Sequence, residues 1–223
     1  MGRCQKVSTK HQQKVQLYDL FAQIGKALSS PGRLELLDLL TQAPRTVEEL
    51  AVETGMSISN TSQHLQRLKQ AHLVETEREG TFIRYRLANP AVSKLWHTLR
   101  RVAEQQLSDV DQALDNYRER RHEFEHISAQ DLRLRLQSRD VVLLDARPAV
   151  EYESGHLPGA LSSPVETVEQ LLTSLPDDKT IVAYCRGPYC VLADEVLALF
   201  AQAGKQVARL EDCLLYTSPS PRD

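Results

Sequence analysis

Residues 180–203 read TIVAYCRGPYCVLADEVLALFAQA: an unbroken apolar run, a cysteine, a loop with Gly187 and Pro188, then an apolar-periodic helix over 191–203. A strand without polar alternation is buried on both faces, as in a parallel sheet covered by helices. Val141-Val142-Leu143-Leu144-Asp145 is a second such run, and Val207-Ala208-Arg209-Leu210 a further strand. Ser128-Ala129-Gln130-Asp131 starts a short helix ahead of them. Strands alternating with helices predict an α/β open parallel sheet over residues 128–212. Cys185 then sits at a strand end, facing loop N–H groups and the positive end of the next helix. Both favour the thiolate, so the thiol is suited to attack sulfur and to hold a persulfide.

The front of the chain has a different period. Helical spacing over about 11–28 places Val15, Leu17, Leu20, Phe21, Ile24 and Leu28 together, after a flexible N-terminus over residues 1–14. Ser29-Ser30-Pro31 starts a second helix with Leu34, Leu36, Leu37, Leu39 and Leu40 on its apolar side. Thr46-x-x-Glu49 is a capping box for a short third helix that stops at Gly55. Ser57 or Ser59 starts a fourth, with Ile58, Leu65 and Leu68 inward. Residues 73–77 and 81–87 flank Arg78-Glu79-Gly80 as a β-hairpin. Pro90 opens a helix expected to run to about Phe124. Its apolar residues, Leu95, Leu99 and Val102, then Ala103, Leu107, Val110 and Leu114, step by threes and fours. That is a heptad-like seam for a second copy, with packing on its own domain as the alternative. The boundary between halves falls near residues 122–128, and the front domain is assigned to 15–124.

Helix, helix, turn, helix and wing is the order of a winged helix-turn-helix, an α+β domain. Its second helix lies in the major groove, where early residues meet base edges. Those residues here are Ser59, Asn60, Ser62, Gln63 and His64, with Arg67 one turn on; Arg78 and Arg84 of the wing are phosphate or minor-groove candidates. A merely solvated helix face would carry more Glu and Lys. The overall balance of 27 Lys+Arg against 30 Asp+Glu is uneven: the front is slightly basic and the back acidic, a weak hint of nucleic-acid contact in front.

The segments SSPGRLELLDLL and TVEELAVETGMSISNTSQHLQRLKQAHLVETEREGTFIRYRL resemble the arsenical-resistance repressor (ArsR) family of bacterial regulators over about residues 15–120. The resemblance implies a homodimer, paired through terminal helices, on double-stranded DNA carrying an inverted-repeat operator. His72 stands where that family usually has glycine. Many members hold metal through a Cys-x-Cys pair beside the third helix. This chain has Val47-Glu48-Glu49-Leu50-Ala51-Val52 there, and no cysteine between Gln5 and Tyr184. A metal or dithiol sensor in the front half is therefore disfavoured, and His97, His122 and His126 are scattered; no metal and no cofactor are expected.

VVLLDARPAVEYESGHLPGALSSP followed by IVAYCRGPYCVLADEVLALF resembles the rhodanese domain over about 127–212. The resemblance implies sulfane-sulfur transfer through a Cys185 persulfide. It assigns the backbone of Arg186, Gly187, Pro188, Tyr189 and Cys190 to a cradle, with proline supplying shape only. Asp145 and Arg147 match a strand-end pair whose Arg supports the loop; Glu151, His156 and Gly159 match a largely structural signature. Arg186 is placed to orient an anionic donor, or is a surface charge. Cys190 either resolves a persulfide or sulfenic acid or packs as a small apolar residue. A phosphatase of related fold needs an Arg six residues after its cysteine; that position is Val191.

The expectation is a dimeric regulator, a repressor, controlled by persulfidation or oxidation of Cys185 by a small sulfane-sulfur donor. The alternative is a thiosulfate or persulfide sulfurtransferase whose helical half serves dimerisation and placement on DNA; a third reading is a constitutive repressor with an inert second domain. Cysteines without framework spacing fit a reducing, cytoplasmic setting, and no apolar run is long enough to span a membrane. Residues 213–223 read as a non-native tail resembling translated sequencing adapter, which would leave the rhodanese-like sheet C-terminally truncated and Cys213 without functional meaning.

Overall fold

The computed structural model describes residues 2–118, 124–187 and 189–210. His122 and the 213–223 tail lie outside them. The chain divides into two compact units, Met1–Gln106 and Leu107–Asp223.

The front unit opens on α1, Gly2–Leu28. The stretch expected to be a flexible terminus therefore has helical backbone from Gly2: nothing in residues 2–14 breaks a helix, which contain no proline and only the leading glycine. Ile24, Ala27 and Leu28 pack onto the core, whereas Val15, Leu17, Tyr18, Leu20 and Phe21 are exposed. Buried Arg33 donates from Nε to the carbonyl of Ala27 and from Nη2 to that of Lys26 (2.9 Å), closing the open carbonyl end of the helix.

Pro31 occupies the first turn of α2, Pro31–Gln42, which buries Leu36, Leu37, Leu39 and Leu40. The predicted capping box starts α3, Val47–Thr54: Thr46 Oγ1 accepts from the Glu49 amide (3.2 Å) and Glu49 accepts from the Thr46 amide (2.8 Å). Gly55, at φ 66°, ends it. Ser57 caps α4, Ile58–Gln70, which buries Thr61, Leu65 and Leu68. Ile58, expected inward, is exposed, because it is the first residue of the helix and precedes the turn that meets the core. The end of α4 is a Schellman motif: Leu73 N donates to Leu68 O (3.0 Å) and His72 N to Lys69 O (3.0 Å). His72 carries the left-handed residue of that motif, at φ 55°. The wing is an antiparallel pair, β1 Val74–Glu79 and β2 Phe82–Leu87, turning at Gly80. Then α5, Pro90–Gln106, returns Val92 to the core.

The helix predicted to continue to Phe124 stops here. A separate α6 spans Ser108–Arg118, with Asp109 and Asp111 in its first turn. A serine followed by acids is a helix start, since carboxylates favour the positive N-terminal end, and this wins over the continuing apolar steps. Leu95, Leu99 and Val102 are therefore on α5, exposed Leu107 lies in the break, and half-buried Val110 and Leu114 are on α6.

In the second unit, β3 Glu125–Ile127 leads to α7, Ala129–Ser138, capped by Ser128, and to β4, Val141–Asp145. Next come α8 Ala149–Ser154, β5 Leu161–Ser162, a 3₁₀ turn over Val165–Thr167, and α9 Glu169–Leu172. The unit closes with β6 Thr180–Tyr184, α10 Leu192–Gln202 and β7 Val207–Leu210. The strands form one parallel sheet in the order β3-β7-β6-β4-β5. Side chains alternate across a strand. Ile181, Ala183 and Cys185 thus face α10 with Ala193, Val196, Leu197 and Phe200, while Val182 and Tyr184 join Leu132 and Leu143 on the other face. That alternation aims the Cys185 thiol toward the start of α10. No helix among the described residues is long and apolar enough to cross a membrane.

Candidate functional site

The loop after β6 curls back on the cysteine that begins it. Gly187 holds φ 119°, a backbone region open to glycine, and Cys190 N donates to Gly187 O at 3.2 Å. Cys185 is 3% exposed, with Sγ 3.4 Å from Cys190 O and 4.0 Å from Gly187 O. Burial alone would raise its pKa. The hydrogen bond from the Cys190 thiol, the charge of Arg209 and the amides of Ala193 and Gly187 outweigh burial and bring it below the ordinary thiol value. Cys190 moves the opposite way: donating to Cys185, and buried beside it, it keeps its proton. Of the two thiols, Cys185 is thus the readier to ionise and Cys190 the one that donates. Tyr189 is half-buried in the loop; Pro188 lies outside the described residues.

Asp145 and Arg147 anchor the base of the loop. Arg147 is fully buried, donating from Nε (2.9 Å) and Nη2 (2.6 Å) to the Asp145 carboxylate and from Nη2 to Gly155 O (2.7 Å). The hydroxyl of Tyr184, the residue before Cys185, donates to Asp145 at 2.7 Å and accepts from the Leu157 amide at 3.0 Å. With Ala146 N on Tyr184 O (3.0 Å), this knot fixes where the strand ends and the thiol begins.

Arg186 is committed to a protein partner. It donates from Nη2 (2.6 Å) and Nε (2.9 Å) to Glu151, a fully buried carboxylate. Glu151, expected to be largely structural, is therefore the partner of the loop's own arginine. Sequence reasoning passed over Arg209 and Asp194. Both are buried, and Arg209 bridges Asp194 to the carbonyls of Gly187 and Cys190. The available signal was a charged residue inside an otherwise apolar strand.

On α4, Ser59, Asn60, Gln63 and Arg67 are exposed together, and Ser62 is half-exposed. His64 is turned toward the core: its Nδ1 is buried and its ring lies beside Gly32. Burial, then the charges of Arg33 and Arg67, lower its pKa. In the wing, Arg78 is exposed, donating to Gly80 O (3.1 Å), whereas Arg84 pairs with Glu49 (3.2 Å) and braces the hairpin to α3. Among the described residues no group of His, Cys, Asp and Glu is arranged to hold a metal.

Two family models match the chain: bacterial regulatory protein, arsR family, over residues 30–76, and rhodanese-like domain over residues 128–213. HTH-type transcriptional regulator Rv0324 of Mycobacterium tuberculosis is 41% identical over 202 residues, 91% of this chain and 88% of that protein. HTH-type transcriptional regulator YgaV of Escherichia coli is 41% identical over 78 residues, 34% of this chain and 79% of that protein. Among solved structures, the homodimeric winged helix-turn-helix DNA-binding domain of Mb0332 from Mycobacterium bovis, described as a possible ArsR-family regulator, is 44% identical. It covers 43% of this chain and 89% of its own, at a TM-score of 0.41. With its winged helix-turn-helix, its five-stranded parallel sheet and a relative matched along nearly its whole length, the chain belongs to the ArsR family of transcriptional regulators and carries a rhodanese-like domain behind the DNA-binding one.

Proposed function

We propose that this regulator is a homodimeric repressor, working in a reducing cytoplasm, whose grip on an inverted-repeat operator changes when Cys185 takes up sulfane sulfur. The observation that carries the reading is the buried Cys185 sulfur at the end of β6, enclosed by the loop with Sγ 3.4 Å from Cys190 O and a second free, buried cysteine, Cys190, in the same loop. The Cys185 thiolate attacks the outer sulfur of a persulfide or polysulfide donor, an S–S bond breaks, and the donor leaves as a thiolate. Cys190, once deprotonated, then attacks Cys185 Sγ; a disulfide forms and hydrosulfide departs. Each step balances without a further oxidant.

The exposed row Ser59, Asn60, Gln63 and Arg67 supports α4 as the reading helix. Exposed Val15, Leu17, Tyr18, Leu20 and Phe21 on α1, with Leu95, Leu99 and Val102 on α5, support pairing of two copies through those helices. A change of binding by 100-fold needs about 2.7 kcal/mol of differential affinity between the reduced and sulfur-loaded forms.

The test is fluorescence anisotropy on the gene's own promoter fragment with reduced protein, polysulfide-treated protein, and Cys185→Ser treated alike. Affinity that changes on treatment in the parent but not in Cys185→Ser supports a thiol-gated regulator. Unchanged tight binding with rapid thiocyanate release from cyanide favours the sulfurtransferase reading instead. Unchanged binding with Cys185 inert at neutral pH favours a constitutive repressor.

A further inference from the structure

Beneath the Cys185 loop lies an ion pair that belongs to neither the loop nor the strand-end knot. Arg209 stands on β7 beside Ala183 of β6, with its side chain 5% exposed. Nη1 meets both oxygens of Asp194, at 2.6 Å for Oδ1. Nη2 reaches Cys190 O at 3.2 Å and Gly187 O at 3.4 Å. Those carbonyl oxygens are the two that the Cys185 sulfur approaches, at 3.4 and 4.0 Å.

The coincidence has a physical consequence. A thiol can donate its proton to a carbonyl; a thiolate or persulfide anion cannot, and is repelled by the same oxygens. In a buried site that repulsion is weakly screened. A guanidinium that takes up both carbonyls turns their lone pairs toward itself and brings a full positive charge under the sulfur. Asp194, in the first turn of α10, fixes the fork and tempers its charge.

We infer that Arg209, held by Asp194, is the positioning residue of the sulfur site: it occupies the two carbonyls facing Cys185 and keeps the loop closed around a sulfur anion. This rests on Cys185 being the reactive thiol.

The experiment is the pH profile of Cys185 alkylation by iodoacetamide in the full chain, read peptide by peptide by mass spectrometry so that other cysteines do not contribute. The variants are Arg209→Gln, Arg209→Lys and Asp194→Asn, each checked for folding by circular dichroism. Arg209→Gln removes the cation, so the midpoint rises by about one unit and alkylation at pH 7 slows by up to about tenfold. Asp194→Asn leaves the cation untempered, so the midpoint falls. Arg209→Lys keeps the charge and stays near the parent midpoint. A role in packing alone gives the two pair-breaking variants the same response; same-direction shifts, or none, overturn the inference. If Arg209→Gln does not fold, the sign of the Asp194→Asn shift and the position of Arg209→Lys decide alone. Cys185 inert across the whole profile in the parent chain overturns the thiol reading itself, a result distinct from parent reactivity with unmoved variants.

Discussion

Tyr184→Phe isolates the knot that sets the end of β6. The substitution removes one oxygen and keeps the ring, so no large cavity forms. The lost hydroxyl donates to the fully buried Asp145 carboxylate at 2.7 Å and accepts from the Leu157 amide at 3.0 Å. A hydrogen bond to a charged group contributes about 1.5–3 kcal/mol, and the neutral bond from the part-buried Leu157 amide about 0.5–1.5 kcal/mol more. The Asp145–Arg147 pair survives, so the separate cost of about 3–5 kcal/mol for stranding one partner of a buried ion pair does not arise. We expect the second unit to lose about 2–4 kcal/mol. At about 4–8 °C per kcal/mol for a domain of this size, its melting midpoint falls by roughly 8–30 °C. Urea unfolding followed by far-UV circular dichroism measures this. The sole tryptophan, Trp96, lies in the front unit and supplies an internal control by fluorescence. A second-unit unfolding free energy within about 0.5 kcal/mol of the parent, at unchanged m-value, would refute the assignment of the knot to that hydroxyl.

Three further outcomes follow from the front unit. His72→Gly relieves a side chain held at φ 55°, so thermal melting should show a gain of about 0.5–1 kcal/mol; a loss would mean that the imidazole makes a compensating contact. Burial, then Arg33 and Arg67, depresses His64, and burial, then Arg100, depresses His97 despite Asp38. Both histidines therefore bind protons more readily unfolded than folded. Their contribution is present above about pH 6.5 and is lost as pH falls toward the lower folded values. Replacing both by Gln should flatten the slope of Trp96-reported stability over that interval. Arg67→Ala should weaken operator binding and reduce the slope of log affinity against log salt by about one, as loss of one phosphate contact requires; an unchanged slope places Arg67 off the backbone.

What the sequence made legible was local or periodic. The strands at 141–145, 180–184 and 207–210 stand out because a strand covered on both faces has no polar alternation. Thr46 with Glu49, Ser57 and Ser128 mark helix starts because a cap needs only its own next few residues. The break at Leu107 was obscured because Val102, Leu107, Val110 and Leu114 keep stepping by three to five; the contrary signal, Ser108 before two acids, is just as local. Arg186 misled for another reason. Beside the candidate nucleophile it looks like a ligand for anions, and its partner Glu151 is 35 residues away, brought in by the sheet rather than by any spacing.

Arg209 carries the converse lesson. A guanidinium in the strand Val207-Ala208-Arg209-Leu210 cannot be left in an apolar interior, because an unpaired buried charge costs several kcal/mol. Its presence there implies a buried acid and further acceptors before any coordinates are known. Within the second unit, loop carbonyls at a strand end are acceptors in need of donors, and α10 supplies the acid through Asp194. The three arginines of this site have different partners. Arg147 holds the end of β4 through Asp145, Arg186 pairs with Glu151, and Arg209 touches the carbonyls that face the sulfur. Its effect on Cys185 is therefore expected in reactivity as well as in stability, whereas loss of Arg147 should be read chiefly in stability.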